Sequence, residues 1–430
     1  MKTITAILIG AGGRGVRYSN EMVKSNGKFQ IIAVCEPIEQ KRRVIQSLWS
    51  IPNENCFQSW EEVLNLPKMA DLAIITTMDQ MHYLPAMKAI EKGYDILLEK
   101  PLAQTPEECV NIARAAEKYG ARVLVCHVLR YAPFFKKVKE LLLSNVIGRI
   151  TSVVHVEGVG VLHFAHSFVR GNWHDMKETA PTLLAKSCHD IDIIQWLLDK
   201  RCKKVQSFGS LSYFTSKNAP EGAPKRCIDG NCPDADTCPF QAKRYYCKVA
   251  SDNWKRKVIN VSGKEYVPTD EEIIEGLRKT DYGLCVFHAN NDAIDHQIVN
   301  MEFEDGITAS FTMNAFNKGG RYIRIFGTEG ELFANMSDTE ITVYTFRDGE
   351  YKKIPIVKTT ESIEGGHGGG DAGMIRELYE YLNDDYHGIY AADISVSVDN
   401  HLIAFAAEEA RLQGSVIDVR EYCKKLGYQY

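Results

Sequence analysis

The sequence predicts an α/β protein: an N-terminal Rossmann-type, doubly wound parallel sheet followed by an α+β C-terminal domain with a mainly antiparallel open sheet. Three observations carry this. A short apolar run over 4–9 opens into Gly10-Ala11-Gly12-Gly13-Arg14-Gly15 and then into an amphipathic stretch over 16–24. Buried-strand patterns next alternate with helical ones as far as about residue 130, the rhythm of a parallel sheet wrapped by helices. From Ile150 onward the strands alternate apolar with polar residues and few helices separate them, which suits strands with one face turned to water or to a ligand.

The totals agree with two domains. At 430 residues the chain exceeds one ordinary core, and the expected division is 1–130 and 131–430. Hydrophobic residues make up 45% and charged residues 25%, a globular balance. A formal net charge of -5 leaves no basic stripe and argues against a nucleic-acid partner. No run approaches the ~18 apolar residues of a membrane helix, so no membrane association is expected. Nothing near the N-terminus reads as an address label, and twelve cysteines suit free thiols in a reducing cytoplasm.

Taken in order, the first strand and its glycine turn have the form of a dinucleotide site. Gly10 permits the tight turn, Gly12 lets the backbone approach a pyrophosphate, and Gly15 lets the helix pack on the strand. A second strand, 30–35, ends at Glu36, where an acid can hydrogen-bond the ribose hydroxyls. That carboxylate favours NAD over NADP, and Lys41, Arg42 and Arg43 read as a solvated face. Further strands are expected at 70–77, 95–98 and 122–126, with helices at 82–92 and 106–119 between them. Glu99-Lys100-Pro101 stands at the carboxyl end of a parallel strand, the edge on which open sheets bind ligands.

In the second half a linking helix over 133–145 precedes strands at 151–157, 205–214, 296–303, 308–316, 322–326 and 340–344. The stretch 182–198 is helical in pattern from Ile191 on, which puts His189 near a helix start and Asp192 one turn along the same face, able to orient its imidazole. A loop over 163–173 is dense in histidine and aromatics. Trp173 could stack on a sugar and His163, Arg170, Asn172 and His166 could reach hydroxyls, or the aromatics could seal the domain junction. Residues 217–281 read as a polar insertion too hydrophilic for a core of its own. Within it, Cys227, Cys232, Cys238 and Cys247 are either ligands of a structural zinc or plain thiols, with Cys285 and His288 as competing ligands. The stretch 364–371 reads as a flexible connector in which Asp371 caps the following helix and His367 lines the site only if the loop closes.

The glycine turn, Glu36, Thr77 with His82, Glu99-Lys100-Pro101 and Arg130-Tyr131-Ala132-Pro133 together resemble the glucose-fructose oxidoreductase / inositol dehydrogenase (Gfo/Idh/MocA) family. The resemblance implies a carbohydrate- or polyol-active, NAD-dependent oxidoreductase whose partners are further copies of the same chain, in a dimer or tetramer. It implies that Lys100 stands beside the nicotinamide and the reacting carbon, and that His189 is catalytic or substrate-binding. Gly10, Gly12, Arg14, Gly15, Glu36, Thr77, His82, Glu99, Lys100 and Arg130 would then face the cofactor. His163, Arg170, Trp173 and Lys186 would join Lys100 and His189 around the substrate.

The departures from the family pattern are specific. Ala185 stands where sugar dehydrogenases of the family usually carry an aspartate, with Lys186 beside it; Met78, Asp79 and Val128 replace common proline, asparagine and asparagine. They leave room for two other readings: cleavage of a glycoside by transient oxidation and elimination with bound NAD, or a non-catalytic NAD-binding regulator.

Overall fold

The computed structural model describes residues 2–357, 366–383, 386 and 388–430. Residues 364 and 365 of the expected connector lie outside the described residues. The first domain is a six-stranded parallel sheet in the order β3-β2-β1-β4-β5-β6, formed by β1 Ile4–Ile9, β2 Phe29–Cys35, β3 Cys56–Phe57, β4 Leu72–Ile75, β5 Asp95–Leu98 and β6 Val123–Val125. The central strand β4 is buried at every position, as a sheet covered on both faces requires.

Among the described residues the second domain holds nine strands in the order β14-β13-β12-β11-β7-β10-β9-β8-β15. These are β7 Ile150–Gly158, β8 Cys202–Ser210, β9 His296–Phe303, β10 Thr308–Asn314, β11 Gly320–Gly327, β12 Gly330–Asn335, β13 Glu340–Thr345, β14 Glu350–Pro355 and β15 Ile417–Asp418. Only β7 and β10 run parallel; every other pair is antiparallel. Burial alternates residue by residue along β9 and β10, so one face packs inward.

A helix spanning Thr182–Leu198 lies on that inner face. Between Leu183 and Leu198 only Lys186 and Gln195 escape burial, so the helix is buried all round and has no water face. It begins after Pro181, well before Ile191, because the run Leu183-Leu184-Ala185 buries as deeply as the later turns; His189 is therefore mid-helix and not near its start. The helix Ile394–Gln413 packs beside it, using Ala404, Ala406, Ala407 and Ala410 for close approach.

The domains are braced by one buried ion pair. Arg130, 2% exposed, gives Nε and Nη2 to the two oxygens of Asp192 at 2.8 and 2.5 Å, and Asn400 donates to the same carboxylate at 2.7 Å. Removing one charge would strand the other in the core. Asp192→Ala is expected to lower the unfolding free energy by about 3–5 kcal/mol, read from the denaturant midpoint. A loss below about 1 kcal/mol would mark the pair as dispensable.

Candidate cofactor and active site

The first strand delivers the glycine turn as its spacing predicts. Gly10 has φ +97°, and a Cβ there would sit 2.8 Å from the Thr76 carbonyl; a Cβ on Gly15 would meet the Gly10 oxygen at 2.1 Å. Gly12 differs: nothing lies within 4 Å of where its Cβ would be. The helix Gly13–Val23 that follows has no side chain capping its N-terminus, so its first amides are left for an anion. Glu36 closes β2 with its carboxylate beside the turn, accepting from Ala11 N at 2.9 Å and from Ile38 N at 3.1 Å. An open glycine face, uncapped amides and a buried acid at the ribose position are the donor set and cradle that a dinucleotide needs.

Arg14, on the first turn of that helix, reaches the far edge of the sheet. Its Nε donates to Glu99 Oε1 at 2.7 Å and its Nη2 to Asp371 Oδ1 at 2.7 Å, while the Tyr18 hydroxyl donates to the same Glu99 oxygen at 2.5 Å. Burial opposes ionisation of Glu99, but the Arg14 and Lys100 charges outweigh it and hold the carboxyl below its usual range. Asp371 is not a helix cap. It lies inside the helix Gly370–Leu382, capped by Gly369 without a side chain, and serves as an anchor for Arg14. His82 ties the ends of β4 and β5 together, with Nδ1 2.6 Å from the Pro101 carbonyl and Nε2 3.2 Å from that of Thr77. The Thr77 hydroxyl donates to Met81 O at 3.0 Å.

Lys100 crosses the domain boundary. Its Nζ donates to the Ala185 carbonyl at 2.7 Å, one turn before His189 on the buried helix. His189 is 4% exposed, and its Nδ1 has no hydrogen-bond partner. Burial first, then the Lys100 charge, push its imidazole well below the ordinary histidine range, so it is neutral. Asp192 does not orient it, because Arg130 and Asn400 already occupy that carboxylate. His127 stands between them, its ring centroid 5.8 Å from His189 and its Nδ1 3.8 Å from Asp192. His367 lies on the other side at 5.7 Å and reaches Asp371 at 3.3 Å, so the glycine-rich stretch does line the site.

Other residues fall elsewhere. Arg130 spends its donors on Asp192 and the Ala391 carbonyl, facing the domain junction and not the cofactor groove. Arg170 is buried and holds the insertion, giving Nε to Leu284 O at 2.7 Å and Nη2 to Phe240 O at 2.8 Å, which removes it from the substrate side. The segment expected as a loop is helical over Val161–Phe164 and continues as a wider turn over Ala165–Val169. His163 packs against Trp254 with centroids 5.5 Å apart, and burial pushes its imidazole down to about 3. His166 is stacked between Trp254 and Tyr282. Trp173 stays at the cleft and donates Nε1 to Asp79 at 2.9 Å, a cross-domain contact that sequence spacing did not reveal. Lys186 pairs with Glu157 at 2.8 Å, and Arg321 joins Glu157 at 2.9 Å to Asp190 at 2.7 Å. Glu157, Arg321 and Asp190 carried no local motif, being joined only by strand pairing and helix phase.

The four-thiolate zinc site is not formed. Among the described residues no group of three or more His, Cys, Asp or Glu could hold a metal ion. Cys247 packs against the tyrosine cluster of the insertion near Asp270; Cys227 touches the same cluster but faces Cys285 and the Arg170 guanidinium. The insertion also buries a core of its own, from Tyr245, Tyr246, Val258, Ile273 and Leu277, contrary to its polar composition.

Geometry of this kind, a nucleotide cradle on one domain facing a lysine and a neutral histidine across a cleft, defines a two-domain dinucleotide-binding oxidoreductase. The chain belongs to the Gfo/Idh/MocA oxidoreductase family: its NAD-binding Rossmann description matches residues 4–127 and its C-terminal alpha/beta domain matches residues 139–419. It is 25% identical to the putative oxidoreductase YteT of Bacillus subtilis (strain 168) over 335 residues, 75% of this chain and 74% of the relative. It is 23% identical over 218 residues to the 2,7-anhydro-N-acetylneuraminate hydratase of Mediterraneibacter gnavus, 49% of this chain and 53% of that one. The structure of levoglucosan dehydrogenase in complex with NADH and L-sorbose superposes with a TM-score of 0.70 at 18% identity, covering 97% of this chain and 99% of the other. Among the described residues no helix is long and apolar enough to cross a membrane.

Two outcomes follow from the site. The His189 imidazole should stay neutral at pH 6 in nitrogen-15 NMR titration, because its folded value is depressed and the proton binds only far below the ordinary range; a midpoint near 6.5 would contradict the burial argument. Glu36→Ala should weaken NAD by about 10- to 100-fold while NADP changes less, as measured by calorimetry, since a charged acceptor is worth about 1.5–3 kcal/mol.

Proposed function

We propose that the protein oxidises or reduces a hydroxyl or keto group of a sugar, polyol or glycoside, with Lys100 and His189 managing the proton. The observation that carries this is the meeting of the Lys100 amine with the Ala185 carbonyl next to His189, which puts a donor and a neutral acceptor from separate domains on one cleft. A bound NAD supplies the hydride chemistry. Lys100 is the group placed to hold the substrate oxygen, and His189, with Nδ1 unpartnered, is the group placed to take or return its proton. Trp173 and Asp79 form the rim through which a ring-shaped substrate enters. Ala185 contributes only its backbone here, and the Lys186 ammonium is turned to Glu157, so neither replaces a side-chain carboxylate toward the substrate.

A second reading is favoured by one finding: one relative is named a hydratase, and addition or loss of water is redox-neutral overall. In that reading the same pair serves a transient oxidation followed by elimination. Two coarser features complete the proposal. Val154 and Phe208 are exposed on the uncovered face of the second sheet, which supports a homo-oligomer in which another copy covers it. All twelve cysteines are free, which supports a reducing, cytoplasmic setting.

Lys100→Met should lower kcat by about 10²- to 10⁴-fold with NAD affinity retained. Turnover with a carbohydrate panel, followed by reduced-nicotinamide absorbance, separates the readings: accumulation marks net dehydrogenation, and product release without it marks the redox-neutral cycle. Unchanged activity in Lys100→Met would defeat both.

A further inference from the structure

The insertion between β8 and β9 does more than decorate the second domain, since one end of it lies on the first. Its helix Asp270–Lys279 is fixed by a capping box between Thr269 and Glu272, and its small core contains Val258. From that anchored base the chain over 257–263 runs to the nucleotide edge of the Rossmann sheet. Asn260 accepts from Lys41 Nζ at 2.6 Å. Ser262 and Gln40 exchange two hydrogen bonds, Gln40 Nε2 to Ser262 O at 2.8 Å and Ser262 N to Gln40 Oε1 at 3.0 Å. The Ser262 hydroxyl donates to the carbonyl of Ala11 in the glycine turn itself, at 3.2 Å. Gly263, at φ +99°, passes so close to the helix Glu39–Trp49 that a Cβ would meet Val44 at 3.2 Å.

Lys257 opens this segment and points into the cleft. Its Nζ stands 5.8 Å from the centre of the Trp173 ring, and among the described residues no hydrogen bond or ion pair engages it. Burial first, and then the charges of Arg14 and Lys100, push its ammonium down from the ordinary lysine value. Both of those neighbours are already committed, Arg14 to Glu99 and Asp371 and Lys100 to the Ala185 carbonyl. A third cation brought up to two others costs free energy that a bound anion would offset. The turn that bears Arg14, which the same segment touches through Ser262, is built for one, with its open Gly12 face and uncapped amides.

We propose that residues 257–263 form a clasp over the dinucleotide groove, in which Lys257 pairs with the pyrophosphate while Asn260 and Ser262 latch the insertion to the glycine turn and the neighbouring helix. The dinucleotide, once seated, is enclosed by both domains and leaves slowly. This rests on the nucleotide-binding half of the functional reading and not on the identity of the substrate.

The test uses the full chain without sugar, and measures binding of NAD, ADP-ribose and adenosine by calorimetry and NAD release by stopped-flow displacement. Lys257→Met should weaken NAD and ADP-ribose by about 10- to 100-fold, leave adenosine unchanged and flatten the salt dependence of binding, with Lys257→Arg restoring most of the loss. Ser262→Ala combined with Gln40→Ala should speed NAD release several-fold. Equal unfolding profiles for wild type and variants show that the fold is intact. Unchanged NAD and ADP-ribose affinity in folded Lys257→Met, or an equal loss for adenosine, would overturn the clasp. Unchanged ADP-ribose affinity with a raised KM for acidic sugars would overturn it too, assigning Lys257 to the substrate. Absence of NAD binding to the wild type would instead defeat the nucleotide reading itself.

Discussion

A helix with no water face has to satisfy every polar side chain it carries, and Thr182–Leu198 is such a helix. At about 100° per residue, consecutive positions address different neighbours. Asp190 turns to the sheet, where Arg321 donates to it and His155 Nε2 lies 2.8 Å away. Burial alone would raise the Asp190 carboxyl, yet the Arg321 charge and the His155 bond hold it well below the usual carboxylate range. Asp192 turns to the domain junction and Arg130. What remains for His189 is the cleft, and the two acids that follow it on the helix, Asp190 and Asp192, are unavailable to charge it. A neutral imidazole facing Lys100 is the result of that partition.

The parts of this arrangement that are local in sequence were legible in it. Strand, glycine turn and Glu36 lie within 33 residues, from Ile4 to Glu36, and Gly10 and Gly15 each have a separate steric reason to be there. Helix Pro106–Tyr119 and strand His296–Phe303 also end where their punctuation says. The contacts that failed to be legible are long-range. His189 and Asp192 have the spacing of an oriented pair, but Arg130, 62 residues upstream, competes for the carboxylate with charge and two donors. Arg170 has the look of a ligand-facing cation, and the carbonyls that claim it come from the insertion, Phe240, and from just beyond it, Leu284.

The insertion misled for a related reason. Its composition is polar, which alone reads as a solvated loop. Folding collects Tyr245, Tyr246, Trp254 and Tyr282 around His166 in a stack of rings, with the His166 Nδ1 2.8 Å from the Tyr246 hydroxyl. Aromatic area on this scale substitutes for a conventional core. It also explains why the cysteines need no metal to fix the segment: Arg170 and a pair of strand-like hydrogen bonds, Cys227 N to Gly283 O at 2.8 Å and Cys285 N to Lys225 O at 2.9 Å, already hold it.

A rigid insertion anchored on one domain and latched to the other changes how the two functional readings compare. If the segment closes over the cofactor, a dehydrogenase that releases its product and its reduced cofactor each cycle would have to break the Gln40–Ser262 pair and the Lys41–Asn260 bond each time. A redox-neutral cycle returns the hydride before the product leaves and would not require that opening. Under the proposed clasp the cross-domain bonds would add to the barrier of the first cycle and leave the second untouched. Ala185 acts in the same direction: with no carboxylate at that position, Lys100 is aligned through a backbone carbonyl while the imidazole of His189 stays neutral, an arrangement suited to taking up a proton and giving it back.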